Sequence, residues 1–318
     1  MISFRLLGSI LALLLFSPVE AMSQSVLHVE IPPVLINDVA PTGVRPHAMT
    51  PYLESSSCIL MELGIKELDL ESVSLWIGEL GDESPILKSP WFETIRRIAK
   101  KIVTEGGNRA FVAASPRMYL EGAPLVMIPT SSPAAASRLA SSIESVLDSS
   151  PWKMLVRVQT DHKSVLIGTA ETIGRVMQPR PAGRGDLSSP LTSADVFPHR
   201  AVISISDATR GNLVALWPDT LPGRWGVDLN PKQTMVDVIR MTLSMRLTPK
   251  LDASLKLETP DLAAMERTQE AVTRWISSRS GCDGVTVADE GTELTVSLPE
   301  SFFAEILKSK KFQAQTPD

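Results

Sequence analysis

Asp161 and His162 are the only acid and histidine that stand side by side in this chain, and Ser164 lies two positions further on. These are the residue types of a hydrolytic triad: a serine nucleophile, a histidine base and an acid that orients it. They fall, however, between two short apolar runs at 154–158 and 164–167, where a hairpin tip is expected. Asp and small polar residues favour such turns, and nothing at a tip would exclude water. The trio therefore reads as a turn. His28, His47, His162 and His199 are scattered, and no two share a helix face or a strand at metal-ligand spacing. The chain has no GxSxG elbow, HExxH helix, phosphate-cradling glycine loop or CxxC pair. No catalytic residue, cofactor or metal ligand is expected from the sequence.

Charge and sulfur give two further candidates. Arg96, Arg97, Lys100 and Lys101 share one face of a helix expected over 90–105, opposite Ile95, Ile98 and Ile102. They form the candidate surface for an anion or an acidic envelope polymer. The competing reading is a solvated face, with Glu93 paired to Arg97 at i,i+4. Cys58 and Cys282 are the only cysteines. An exported protein could bridge them, closing a loop worth roughly 4–5 kcal/mol in the chain-entropy model. The tripeptide Arg184-Gly185-Asp186 matches an adhesion motif but is read as coincidence. Trp217 and Trp225 bracket a Pro-rich stretch and are read as closing the end of a core.

The compartment is written in residues 1–23. Arg5 precedes an apolar run at 6–16, Pro18 breaks any helix, and small residues follow at Ala21 and Ser23. That run is too short to span a bilayer. Cleavage is expected between Met22 and Gln24, with export to the periplasm or beyond. No cysteine stands in residues 17–23 directly after the apolar run, so the protein is not expected to be a lipoprotein. About 295 residues would remain, with no transmembrane segment among them. A formal charge of −5 and the lack of long basic tracts argue against nucleic acid as partner. Aromatics at 5% are too few for the stacking platforms of a polysaccharide binder.

The elements that must position all this are expected twice. A lead segment, 24–71, carries a Pro-interrupted edge strand at 26–36 and a short helix opened by Thr50-Pro51 and reaching Leu63. From 72 to 177 the pattern reads β-α-β-β-α-β-β-α. Its elements are a strand at 74–80, a helix from Pro90, strands near 110–114 and 124–128, a helix from Pro133, the hairpin, and a last helix capped by Thr169. A Pro/Gly-rich linker, 178–198, follows. The same order then returns over 199–318, starting with a strand at 201–206. Thr259-Pro260 opens its long helix, 127 positions after Ser132-Pro133. Met241, Leu243 and Met245 alternate with polar residues, as do Ala253, Leu255 and Leu257, which demands a sheet with one covered and one wet face. The fold class expected is α+β: two tandem plait-like repeats of ferredoxin-like type, their antiparallel-rich sheets covered by helices on one face. Taken together, the chain leans away from an enzyme. It reads as a binding or structural component of a bacterial cell envelope, with an envelope protein or polymer as partner. The alternative is an exported hydrolase with a site between the repeats.

Overall fold

A computed structural model of the chain describes residues 47–68, 90–178, 184–192, 197–207, 230–247, 251–277 and 284–302, with a few positions between them. The export segment, the edge strand at 26–36, the strand at 74–80, Trp217 and Trp225 lie outside the described residues. The protein is α+β, built on one ten-stranded sheet in which all neighbours are antiparallel.

The strands are β1 (Ile59–Gly64), β2 (Arg109–Ala114), β3 (Leu125–Pro129), β4 (Arg157–Asp161), β5 (Ser164–Gly168), β6 (His199–Ser204), β7 (Arg240–Arg246), β8 (Asp252–Glu258), β9 (Thr286–Glu290) and β10 (Glu293–Leu298). They lie in the order β4-β5-β3-β2-β1-β6-β7-β8-β10-β9. Read outward from the centre, each half has the same order: 1-2-3-5-4 on one side and 6-7-8-10-9 on the other. A pseudo-twofold axis therefore passes between β1 and β6, which pair Glu62 with Arg200 and Leu60 with Val202. This departs from the expected plait. A split βαβ unit joins parallel strands through its helix, whereas β1 and β2 flank helix α1 (Pro90–Thr104) and are antiparallel neighbours.

Hydrogen bonds repeat as well as topology. Thr130 Oγ1 donates to Ser132 O at 3.1 Å and to Lys163 O at 2.8 Å. Thr259 Oγ1, 129 positions later, donates to Asp261 O at 3.1 Å and to Thr292 O at 2.9 Å. Both junctions launch the helix that crosses from the third strand to the fourth. Ser132 caps α3 (Pro133–Leu147) by accepting from Ala135 N, and Asp261 caps α7 (Leu262–Ser277) by accepting from Ala264 N. The cap of α7 is thus Asp261 rather than Thr259, and the repeat offset here is 129 rather than 127. Each helix also reaches back to the element before its meander: Arg138 pairs with Glu105 and its equivalent Arg267 pairs with Asp237, at the end of α6 (Pro231–Asp237).

The first copy begins at β1, which corrects the expected helix through Leu63. Thr50-Pro51 opens only a 3-10 turn, Thr50–Tyr52. The run ILMELG that follows is buried on both faces and hydrogen-bonded on both sides, so its apolar residues need no helical period.

The two halves are covered differently. In the first half α1 and α3 bury one face around Ile98, Ile102, Leu139, Ile143, Ile128 and Val165. The other face is closed by Met49, Tyr52 and Leu53, by Met118 of α2 (Pro116–Leu120), by Val176 of α4 (Ala170–Val176), and by Leu187 and Leu191. The expectation of helices on one face therefore fails here, because β2, β3 and β5 (RAFVAA, LVMIP, SVLIG) are continuous apolar runs. In the second half Ala253 and Leu257 of β8 are buried as the alternation expects, but in β7 the buried residue is Ser244, on the polar side, and Leu243 and Met245 are half-buried. Leu243, Met245, Ala253 and Leu298 pack with Trp275 of α7 and with Phe302, whose rings lie 5.9 Å apart. Arg274, on the neighbouring face of α7, is exposed and paired to Glu270 as the helical spacing predicts. Residues 184–192, expected in an exposed linker, include α5 (Gly185–Ser188) and a 3-10 turn, and bury Arg184, Leu187 and Leu191.

Candidate functional site

The acid–histidine pair is a turn. His162 has φ +50°, in the left-handed region, and its side chain is 94% exposed. The matching position of the second copy, 129 residues on, is Gly291 at φ +61°, the residue for which that conformation carries no Cβ penalty. Asp161 accepts a hydrogen bond from Tyr52 Oη at 2.8 Å, which ties the entry turn to the end of β4. Replacing His162 by glycine is therefore expected to leave stability unchanged or raise it by up to about 1 kcal/mol, measured by urea denaturation, because the relief of left-handed strain offsets the added unfolded-state freedom.

Burial, then the bond to Asp161, pushes the Tyr52 hydroxyl up to about 12. The folded state thus holds this proton more tightly than the unfolded chain, whose tyrosines titrate near 10. Its contribution is complete below pH 10 and is lost as pH rises toward 12, a span of about 2–3 kcal/mol. Tyr52→Phe is expected to flatten that part of the alkaline stability curve. An unchanged curve would exclude Tyr52 as its source.

The basic cluster lies on one exposed face of α1. Arg96, Arg97, Lys100 and Lys101 are all exposed. Glu93 pairs with Arg96 at 2.8 Å, not with Arg97, which instead donates to Ser149 Oγ. The two cysteines are not bridged: both are free thiols. Cys58 Sγ lies 3.6 Å from Ala114 O at the start of the central strands, and burial pushes its thiol up to about 11. Cys282 packs on the cluster of Ala253 and Phe302.

What the sequence reading missed lies at the pseudo-twofold axis. Glu62, 2% exposed on β1, is held between two arginines. Arg200 of β6, also buried, donates Nε at 3.0 Å and Nη2 at 2.5 Å to Glu62 Oε2, while Arg109 of β2 bonds Oε1. Arg200 further donates to Leu191 O at 2.7 Å. On the same side of the sheet, His47 packs edge-on against Phe111 at 4.7 Å, and its Nδ1 accepts from Met49 N. His199, 3% exposed at the start of β6, has no hydrogen-bond partner for either ring nitrogen among the described residues. Burial holds both histidines below the usual imidazole range. Among the described residues, the junction of the two halves is a strand pair closed by ion pairs.

A second clasp uses the adhesion-like tripeptide. Arg184 is buried and donates to Ser57 O at 2.6 Å and Ser204 O at 3.0 Å, one from each strand at the same end of the central pair. Asp186 holds the same guanidinium at 2.8 and 2.6 Å and accepts from Ser204 Oγ. Burial pushes the Asp186 carboxyl up, but these bonds prevail and hold it below the usual range. Only the tertiary contacts identify this arginine as a fastener.

One surface distinguishes the copies. Where the first copy buries Phe111, Leu125, Met127 and Leu166, the second carries Thr242, Ser254, Lys256 and Thr295 at the matching register. Ion pairs lace this polar face: Arg240 to Glu258, Lys256 to Glu293 at 2.6 Å, and Arg246 to Asp252 at 3.7 Å. Among the described residues, no group of three or more His, Cys, Asp or Glu is placed to hold a metal ion, and no helix is long and apolar enough to cross a membrane.

No protein-family model matches the chain, and no curated protein matches it. Among solved structures it is similar to one titled "Structure of crystal form I of TP0453", with 14% identity and a TM-score of 0.41, over 85% of this chain and 98% of that one.

Proposed function

We propose that this is an exported, non-enzymatic binding or structural protein of a bacterial cell envelope. It would be built from two copies of one β-α-β-β-α-β-β unit, and it would use the polar sheet face of its second copy to meet an envelope protein or polymer. The observation that carries the reading is the divergence of that face. Two copies share topology, junction hydrogen bonds and helix-anchoring ion pairs, yet one carries an apolar set on this sheet face while the other carries the half-buried Thr242, Ser254, Lys256 and Thr295 in its place. Charges there are mutually paired in cross-strand bridges, which suits a partner recognised by hydrogen bonds more than by net charge. Support for the non-enzymatic part comes from where the reactive residue types are spent: Asp161 on Tyr52, Glu62 on two arginines, Asp186 on Arg184.

Co-sedimentation of the mature chain with separated envelope fractions tests the reading. Binding to one fraction is expected, reduced at least tenfold by Lys256→Glu combined with Thr295→Lys. Unaltered binding by that variant would sink the proposed surface. A hydrolytic activity abolished by Asp161→Asn would sink the non-enzymatic reading.

A further inference from the structure

We infer that two copies of this protein associate through the free edge of β4, antiparallel, about a twofold axis at Gln159. Strand β4 ends the sheet and has no strand partner on its outer side among the described residues. Its hairpin to β5 has a two-residue tip, with Asp161 opposite Ser164. In such hairpins the residues flanking the tip form a hydrogen-bonded pair, and pairing alternates from there. Asp161, Gln159 and Arg157 therefore direct their backbone groups to β5, while Val158 and Thr160 direct theirs outward.

That alternation fixes a register in which a second copy fits. Setting Val158 opposite Thr160 of the second copy brings together the residues whose N–H and C=O groups point outward, and symmetry repeats the pair across the axis. The same register sets Gln159 against its own copy and Arg157 opposite Asp161 at both ends. The sequence RVQTD is thus charge-complementary to itself when reversed. Arg157, Gln159 and Thr160 are exposed. Arg157 Nη1 also donates to Lys153 O at 3.2 Å and Val156 O at 3.1 Å, which leaves its other nitrogens for a partner carboxylate. Immediately before the strand, Met154 is 82% exposed and Leu155 39%, large apolar surface beside the edge. Free edges are ordinarily guarded against pairing.

The duplication supplies the internal comparison. Strand β9 is the equivalent edge at the other end of the sheet, five residues long and 129 positions on from β4. Its sequence TVADE would set Thr286 opposite Glu290 and Val287 opposite Asp289, with two carboxylates per copy and no cation to meet them. The complementary edge belongs to the first copy alone.

Sedimentation velocity on the mature chain from about 1 to about 300 µM tests the inference. A reversible monomer–dimer equilibrium is expected, since one strand pair with a small apolar margin gives a micromolar contact. Gln159→Lys sets two ammonium groups face to face at the axis and is expected to weaken the dimer at least tenfold. Thr160→Pro removes an outward N–H that β5 does not use, and is expected to weaken it similarly while circular dichroism shows an intact fold. Ala288→Lys, at the centre of β9, should leave it unchanged. Monomer at every concentration overturns the inference. So does a dimer that neither β4 variant weakens, or one that Ala288→Lys weakens equally.

Discussion

Replacing Glu62 by alanine is expected to destabilise the protein by about 3–5 kcal/mol, the largest single-residue effect anticipated here. Its carboxylate accepts two hydrogen bonds from Arg200, which is 6% exposed. Taking it away removes the carboxylate from a buried guanidinium, and removing one member of a buried ion pair costs this much because the other cannot regain water. Arg109, with a side chain 57% exposed, loses far less, since water takes over its bonds. The joint variant Glu62→Leu with Arg200→Leu is expected to recover most of the loss, because an apolar pair needs no compensation in that position. Urea midpoints of the three proteins decide the point. A loss below about 1 kcal/mol in Glu62→Ala would mean that the seam is held by strand pairing alone.

Truncation at equivalent positions of the two copies is expected to differ severalfold. Ile143 of α3 is fully buried among Leu139, Val146, Val165 and Ile167. Ile143→Ala should therefore cost about 3–4 kcal/mol, the transfer term plus the cavity it leaves. Its counterpart 129 positions on, Val272 of α7, is half-buried, and Val272→Ala should cost about 1 kcal/mol. The comparison reads the difference between the two helices directly, since Ile143 of α3 is fully buried and Val272 of α7 is half-buried. Equal shifts in the denaturant midpoint would show that α7 is buried as deeply as α3.

Much of this architecture was legible in the residues. Ser132-Pro133 and Thr169 announce helix starts because capping and proline geometry are local, and both helices begin where those signals stand. The hairpins at 157–168 and 286–298 follow from alternation and turn residues, which also act over a few positions. The repeated element order is visible for the same reason. One local signal pointed slightly wrong: Thr259-Pro260 has the form of a helix start, but Thr259 is used to brace the hairpin tip, and Asp261 takes over the cap.

By itself, then, the sequence determined an α+β chain, its helix starts and its hairpins. These depend on periodicity and spacing, which neighbouring residues alone establish. Tertiary structure decided which apolar runs are buried on both sides, so that ILMELG became the central strand β1. It also turned Arg184 and Arg200 inward. A charged side chain is buried only where a carboxylate or carbonyls from distant segments converge on it. Glu62 lies 138 positions from Arg200, and Ser57 lies 127 from Arg184. No local pattern records that meeting, because it exists only once the two halves have paired.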